Sequence, residues 1–133
     1  MKKLLLLALL FIFGCSEKTY SVKLTITTND ISNLDCIWIK VDDDKILSKA
    51  GCDGECSEQI PSGEECLDLN FYEYEITLNA GDKIISRADT RAWTTTEDDY
   101  LEMKLYIDGN EVASDREEGD SQNLSVLVSY TLD

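Results

Sequence analysis

Histidine is missing from this 133-residue sequence, and several other features that indicate function are scarce. Without histidine, no Ser-His or Cys-His catalytic arrangement can form, and every zinc site with a histidine ligand is excluded. Basic residues number 12 against 27 acidic ones, so nucleic acid and anionic membrane surfaces are poor partners. No stretch keeps a helical period for more than one turn, and no apolar run reaches the roughly 20 residues of a membrane-spanning helix.

The N-terminus has the layout of a secretory leader. Met1-Lys2-Lys3 is a positive segment, and residues 4–13 are ten apolar residues, the length of a signal-peptide core. The following Ile12-Phe13-Gly14-Cys15 resembles the lipobox of bacterial lipoprotein signals, although Phe13 stands where a small residue is usual. The resemblance implies cleavage before Cys15 and attachment of lipid to that cysteine, which anchors the protein to a membrane. The alternative is an ordinary secretory signal that contains a cysteine.

The residue after the cysteine bears on location. Ser16 replaces the aspartate that retains enterobacterial lipoproteins at the inner membrane, so the resemblance favours the outer membrane. Ser16-Glu17-Lys18 is weakly similar to the acidic tract of surface-exposed Bacteroidetes-type lipoproteins, and both the periplasmic face and the cell surface stay open. We therefore expect a signal peptide at 1–14, a lipidated tether at 15–19 and one domain at 20–133.

Loss of the leader removes Lys2 and Lys3, so 10 basic residues remain against 27 acidic ones, a net charge of −17. Such a charge keeps a protein soluble and monomeric, and it also speeds encounters with cationic partners. We favour the first interpretation.

Four cysteines remain beyond the anchor, and in an oxidising compartment they predict two disulfides. These are Cys36, Cys52, Cys56 and Cys66. A hairpin with its turn at Asp43-Asp44 would place Cys36 opposite Gly51, and one bulge would then bring it beside Cys52. This register favours the pairs Cys36–Cys52 and Cys56–Cys66. A four-thiolate zinc site is the alternative, but the spacing lacks paired Cys-x₂-Cys knuckles.

Alternation of apolar and polar residues predicts an all-β domain. It begins at Tyr20, Val22, Leu24 and Ile26 and recurs through the chain to Leu132. Asp108-Gly109 predicts a type I′ hairpin turn with Leu105 opposite Val112. Seven to eight short strands with frequent turn signals indicate an antiparallel, immunoglobulin-like β-sandwich. We detect no internal repeat.

Few residues suggest chemistry. Acidic clusters at 42–44, 53–55, 97–99 and 115–120 could supply oxygen ligands to calcium, although none has the order of an EF-hand loop. The favoured interpretation is that they are solvated turns. Trp38 shares its strand face with Lys40, and Trp93 lies in a polar stretch, so both could contact a glycan or a protein. The favoured interpretation is structural: Trp38 covered by the Cys-rich loop and Trp93 closing one end of the core. A histidine-free glycosidase would need two carboxylates across a cleft, which a small sandwich rarely has.

The C-terminal half carries a resemblance to a known group. The runs Ile76 to Asp82, Met103 to Val112 and Leu124 to Tyr130 are similar to small Bacteroidetes-type lipoproteins with an MmpS-like sandwich. The sequence lacks the Pro-Trp pair usual in that group, and its loop from Cys52 to Cys66 is additional. The resemblance implies a fold and an envelope location, and it transfers no site residues.

Two functions remain open. The first is a non-catalytic binding or structural module of the envelope, without cofactors, that holds a protein or glycan. The second is an inhibitor or immunity-type lipoprotein that blocks a cationic enzyme such as a lysozyme. An enzyme is the least favoured class.

Overall fold

The computed structural model describes residues 17–29, 34–50, 71–90, 98–119 and 124–133. Every regular element in this part of the chain is a β-strand. The strands are β1 (Thr19–Thr28), β2 (Leu34–Val41), β3 (Asp44–Ala50), β4 (Phe71–Asn79), β5 (Lys83–Thr90), β6 (Tyr100–Ile107), β7 (Asn110–Glu118) and β8 (Ser125–Thr131). Within these residues there is no helix with the length and apolar character needed to cross a membrane.

The eight strands form two antiparallel sheets of four strands each. Sheet A has the order β4-β1-β6-β7, and sheet B has the order β3-β2-β5-β8. Alternate residues of each strand face the other sheet, and these apolar side chains form one core. The predicted all-β sandwich is therefore confirmed, and the alternation that begins in β1 is its cause. The most deeply buried side chains include Leu24, Ile26, Ile37, Ile39, Ile84, Leu101, Met103, Leu105, Leu124 and Leu132.

The hairpin between β2 and β3 differs from the predicted register. Val41 pairs with Asp44, so the turn is Asp42-Asp43, and Asp42 has a φ of 54°. A bulge follows at Ile46, and beyond it Cys36 pairs with Ala50 instead of Gly51. The bulge has a physical reason, because Ile46 and Leu47 are consecutive apolar residues and both pack against the core. Strict alternation would have sent one of them into solvent.

The hairpin between β6 and β7 also has a two-residue turn followed by a bulge. Asp108 and Gly109 form the turn with φ values of 49° and 83°, which confirms the predicted type I′ turn. The predicted pairing of Leu105 with Val112 is wrong, because a bulge leaves Val112 unpaired and places Ala113 opposite Leu105. Val112 and Ala113 both pack against the core, as in the first hairpin.

The two halves of the chain are structurally equivalent. Exchanging β1 with β5, β2 with β6, β3 with β7 and β4 with β8 converts the order β4-β1-β6-β7 of sheet A into the order β8-β5-β2-β3 of sheet B. Strand bounds and registers agree with this exchange. Each half therefore contributes two strands to one sheet and its hairpin to the other, so the halves interlock.

No repeat was found in the sequence, because the two halves share a pattern of strands and very few identical residues. Among the matched positions, Asp42 corresponds to Asp108 and Thr28 to Thr90. Both threonines are buried, although the core around them is apolar. The two halves therefore correspond in strand order, in register and in a few polar positions.

Candidate functional site

The described residues contain no group of three or more cysteine, aspartate or glutamate side chains placed to hold a metal ion. Cys36 lies at the start of β2, half-buried, and is disulfide-bonded. Cys15, Cys52, Cys56, Cys66 and Trp93 all lie outside the described residues, and so does the cysteine to which Cys36 is bonded. The pairings predicted from the sequence stay predictions.

One end of the sandwich holds both ends of the described chain. Lys18 precedes β1, and its backbone carbonyl accepts a hydrogen bond from the N–H of Ala80 at 2.8 Å. The Lys18 ammonium and the Tyr20 hydroxyl both donate to the backbone oxygen of Asp133. The hydrogen bond with Tyr20 raises the pKa of Lys18. These contacts fix the point at which the N-terminal segment leaves the domain, and we call this end the tether end.

Two hairpin turns lie at the tether end, and each carries an aspartate that joins it to the next strand. The N–H of Asp42 donates to the carbonyl of Lys83 at 2.7 Å, and the N–H of Lys83 donates to Asp42 Oδ1 at 3.0 Å. Asp108 and Ser21 make the same two bonds at 2.8 and 2.9 Å. Each aspartate thus adds one more hydrogen-bonded pair of residues at the end of the strand pairing, with its carboxylate as one of the two acceptors. Their charge also makes the tether end acidic.

The opposite end, which we call the loop end, collects the longer connections. The side chain of Asn29 donates to the carbonyl of Asp98 and accepts from the N–H of Tyr100, both at 2.8 Å. Thr28 Oγ1 donates to the carbonyl of Tyr100 at 2.8 Å, and the N–H of Gly119 donates to the carbonyl of Asp99 at 3.0 Å. These bonds therefore join the terminal residues of three connections, those between β1 and β2, between β5 and β6, and between β7 and β8.

Thr90, the last residue of β5, is bonded to Leu124, which directly precedes β8. Its N–H donates to the carbonyl of Leu124 at 2.8 Å, and its Oγ1 accepts from the N–H of Leu124 at 3.1 Å. Sequence reasoning missed Asn29 and Thr90. The available signal was a side chain able to bond the backbone at the end of a strand: Thr90 is the last residue of β5, and Asn29 directly follows β1.

The strand ends that flank the candidate residues lie at the loop end. Four connections between strands lie at this end, and each is longer than the turns at the tether end. The segments that hold Trp93 and the cysteines beyond Cys36 start and finish at this end. The chain leaves the described strands at Asn29, Ala50, Thr90 and Gly119 and returns at Leu34, Phe71, Asp98 and Leu124.

Trp38 occupies the outward face of sheet B, as its position beside Lys40 predicted. It is half-buried, and the Lys40 ammonium lies 5.2 Å from the centre of its ring. Its cross-strand neighbours are Ser48 on β3 and Arg87 on β5. Arg87 in turn pairs with Leu127 on β8, whose side chain is 50% exposed. A row of four side chains thus crosses the whole sheet.

The outward faces of the two sheets differ in charge. Among the outward positions that the structure describes, sheet B has one carboxylate, Asp89, and four cations: Lys40, Lys45, Lys83 and Arg87. Sheet A has five carboxylates (Glu73, Glu75, Glu102, Glu111 and Glu118) and three cations (Lys23, Lys104 and Arg116).

The cations of sheet A are all paired with carboxylates. Lys104 and Arg116 both contact Glu102, at 3.4 and 3.6 Å, and Arg116 also pairs with Glu118. The charge of Glu102 raises the pKa of Lys104, and the hydrogen bond with Glu118 raises that of Arg116. Lys23 pairs with Glu73 at 3.7 Å. Surface pairs of this kind add little stability, but they leave sheet A without cationic character.

The edge strands β7 and β8 meet along one side of the sandwich. The N–H of Leu127 donates to Asp115 Oδ2 at 2.9 Å, and the N–H of Ser125 donates to Glu117 Oε2 at 2.5 Å. Carboxylates of sheet A therefore satisfy edge donors of sheet B. Unpaired edge donors would be a template for association with another strand.

Comparison with known proteins gave no relative. The chain matches no protein-family model, and searches of curated proteins and of solved structures found no significant similarity.

Proposed function

We propose that this protein is a non-catalytic binding or structural module of the bacterial envelope, held to the outer membrane by lipid on Cys15. The observation that carries the proposal is the polarity of the sandwich. The N-terminal segment leaves at the tether end, and the long connections start and finish at the loop end. A membrane-held protein with this polarity presents its loops away from the lipid surface.

The short tether makes the orientation specific. Two residues, Ser16 and Glu17, separate Cys15 from Lys18, the first described residue bonded to the domain, so the tether reaches about 11 Å at most. The strands have seven to ten residues, which gives a sandwich height of about 25–30 Å. The loop end would therefore stand well beyond the headgroups.

Metabolic labelling with an alkyne analogue of palmitate tests the anchor. The wild-type protein should carry the label and sediment with membranes, and Cys15→Ala should do neither. A Cys15→Ala protein that still sediments with membranes and still carries label would refute the anchor.

Site-specific photo-crosslinking in the cells that make the protein tests the binding role. A photoreactive residue replaces Asp98 at the loop end or, as the matched control, Asp43 at the tether end, since both are exposed aspartates. We expect discrete adducts from position 98 and none from position 43. Adducts from position 43 alone, or from neither position, would contradict a binding module that works through its loop end.

An inhibitor of a cationic enzyme is the second candidate, and the outward face of sheet A favours it. This face has five carboxylates against three cations, a net charge of −2, and complementary charge steers association with a basic partner. Residual activity of a basic lysozyme, measured with increasing amounts of the protein at low and at high salt, tests this candidate. Inhibition that weakens with salt supports it, and unchanged activity at a large excess of the protein rejects it.

A further inference from the structure

We propose that the outward face of sheet B is a binding site for an acidic polysaccharide, centred on Trp38, Lys40 and Arg87. This site is separate from the loop end, so it goes beyond the proposed function and is tested independently of it. Three observations carry the proposal: the sign of the charge on this face, the row of side chains through Trp38, and the small apolar area that the row exposes.

The charge of the face is opposite to that of the protein. Four cations and one carboxylate occupy the described outward positions of sheet B, in a chain with 27 acidic and 12 basic residues. In sheet A the outward cations are paired with carboxylates. In sheet B, Asp89 pairs with Arg87 at 2.9 Å, whereas Lys40 lies over the ring of Trp38. Among the described outward positions of the two sheets, cations therefore outnumber carboxylates only on sheet B.

Arg87 provides the group that would recognise a carboxylate. The Arg87 side chain is 45% exposed in its ion pair with Asp89, and the pair engages Nε and Nη2. A guanidinium has five donors in a fixed planar fork, which matches the geometry of a carboxylate and allows a second acceptor. Because the pair with Asp89 is exposed, its contribution to stability is small and an incoming carboxylate can share the guanidinium.

The remaining side chains of the row suit a sugar. Trp38 contributes a flat aromatic surface between Ser48 and Arg87, and Leu127 ends the row. Serine and threonine residues occupy the outward positions of β8 on both sides of Leu127, and their hydroxyls can both donate and accept hydrogen bonds. A ring of hydroxyls and a carboxylate, repeated along a polymer, matches an aromatic surface flanked by hydroxyls and cations.

Two other anionic partners fit the face less well. A stable protein interface usually has a buried apolar centre, and Leu127 is the one large apolar side chain that this row exposes widely. An anionic lipid surface would have to approach past the aspartates of the tether end, Asp42, Asp43 and Asp108, which would repel it. The face therefore favours a hydrophilic anionic chain.

The negative net charge does not prevent this binding. At physiological ionic strength, charges separated by more than about 8 Å are largely screened, so a ligand on the face senses mainly its nearest cations. We therefore place the experiment at physiological salt instead of low salt.

Affinity electrophoresis of the full-length protein, extracted in non-ionic detergent, tests the proposal. Native gels contain polygalacturonate as the probe, dextran as the uncharged reference, or polyglutamate as the acidic polypeptide. We expect polygalacturonate alone to retard the wild-type protein. Arg87→Gln should raise the apparent Kd by about tenfold, the loss of one charge-assisted contact. Trp38→Ala should have an effect of similar size.

Lys23→Gln is the matched control, since it removes one outward charge from sheet A. We expect the control to bind polygalacturonate as the wild type does. Arg87→Gln alters an exposed side chain, so it remains informative if Trp38→Ala fails to fold. The proposal is overturned if polygalacturonate does not retard the wild type, or if Lys23→Gln weakens retardation as much as Arg87→Gln. It is also overturned if polyglutamate retards the protein equally, which indicates a protein partner, or if glycerol phosphate abolishes retardation, which indicates a lipid headgroup.

Discussion

Asp42 and Asp108 occupy equivalent positions in the two halves of the chain and make the same contacts. Each begins a two-residue turn with a positive φ, 54° and 49°. Each donates its N–H to a neighbouring strand and accepts the N–H of the same residue with its carboxylate, Lys83 in one case and Ser21 in the other. At the tether end, each sheet therefore has the same pair of hydrogen bonds between a turn aspartate and the adjacent strand.

Replacement of either aspartate should destabilise the domain. Asp108→Ala loses a hydrogen bond and puts a side chain with no local polar partner at positive φ, so we expect a loss of about 1–2 kcal/mol. Asp108→Asn keeps the acceptor oxygen and tolerates the left-handed conformation, so its loss should be about 0.5 kcal/mol or less. Urea denaturation measures both values.

Asp43→Ala is the control for this pair of variants. Asp43 lies in the same acidic turn as Asp42, is exposed and does not have a positive φ. We expect its loss to stay within about 0.5 kcal/mol. Equal losses for Asp42→Ala and Asp43→Ala would show that charge, and not the bonds to Lys83, governs the turn.

The side-chain hydroxyl of Thr90 should contribute to the stability of the fold. Thr90→Val leaves the buried N–H of Leu124 without the acceptor that it has in the structure, so we expect a loss of about 1–3 kcal/mol. Thr90→Ser keeps the hydroxyl and should lose clearly less. Thermal or urea unfolding distinguishes the two. Similar losses for valine and serine would show that packing of the methyl group dominates at this position.

The carboxylates of β7 should protect the edge of β8. In Asp115→Ala with Glu117→Ala, the N–H groups of Leu127 and Ser125 lose their acceptors. Hydrogen exchange at Leu127 should accelerate, and self-association should appear in sedimentation velocity, because an open edge accepts another strand. Glu111→Ala with Glu118→Ala removes the same charge from outward positions and should leave both measurements unchanged. Equal association of the two double variants would attribute the effect to charge alone.

The pair of Lys104 and Glu102 predicts a small dependence of stability on alkaline pH. The charge of Glu102 raises the pKa of Lys104 above 10.5 in the folded state. A raised lysine pKa adds stability that is fully present below the unfolded pKa and is lost as pH rises through the folded pKa. The Tm difference between wild type and Lys104→Gln should therefore be present near neutral pH and disappear in strong alkali. A difference that grows with pH would contradict this sign.

Much of the sandwich was predictable because alternation of apolar residues directly reports which face of a strand is buried. The turn at Asp108-Gly109 was predictable for the same local reason, since its residues favour positive φ. The strand registers of the two hairpins beyond their turns could not be predicted from the sequence. Consecutive apolar residues, Ile46-Leu47 and Val112-Ala113, are accommodated by bulges, and only the packing of the opposite sheet decides whether both face inward.

The candidate surfaces were less accessible to sequence reasoning. Trp38 could be placed on an outward face, but its neighbours Arg87 and Leu127 come from strands distant in the chain, so the charge of the face depends on strand order. The pairing of the halves is equally hidden, because it preserves geometry and few residues. The polarity of tether end and loop end likewise follows from topology.

The most direct test of the membrane-held, loop-outward orientation is collisional quenching in reconstituted vesicles. Full-length protein carries a fluorescent amino acid at Asp43 or at Asp98, and the vesicles contain lipid with a nitroxide on its headgroup. The strand lengths separate the two ends by about 25 Å, more than such quenchers reach. We predict strong quenching at position 43 and weak quenching at position 98. Equal quenching at both positions, stronger quenching at position 98, or no quenching at either would contradict the proposed anchor and orientation.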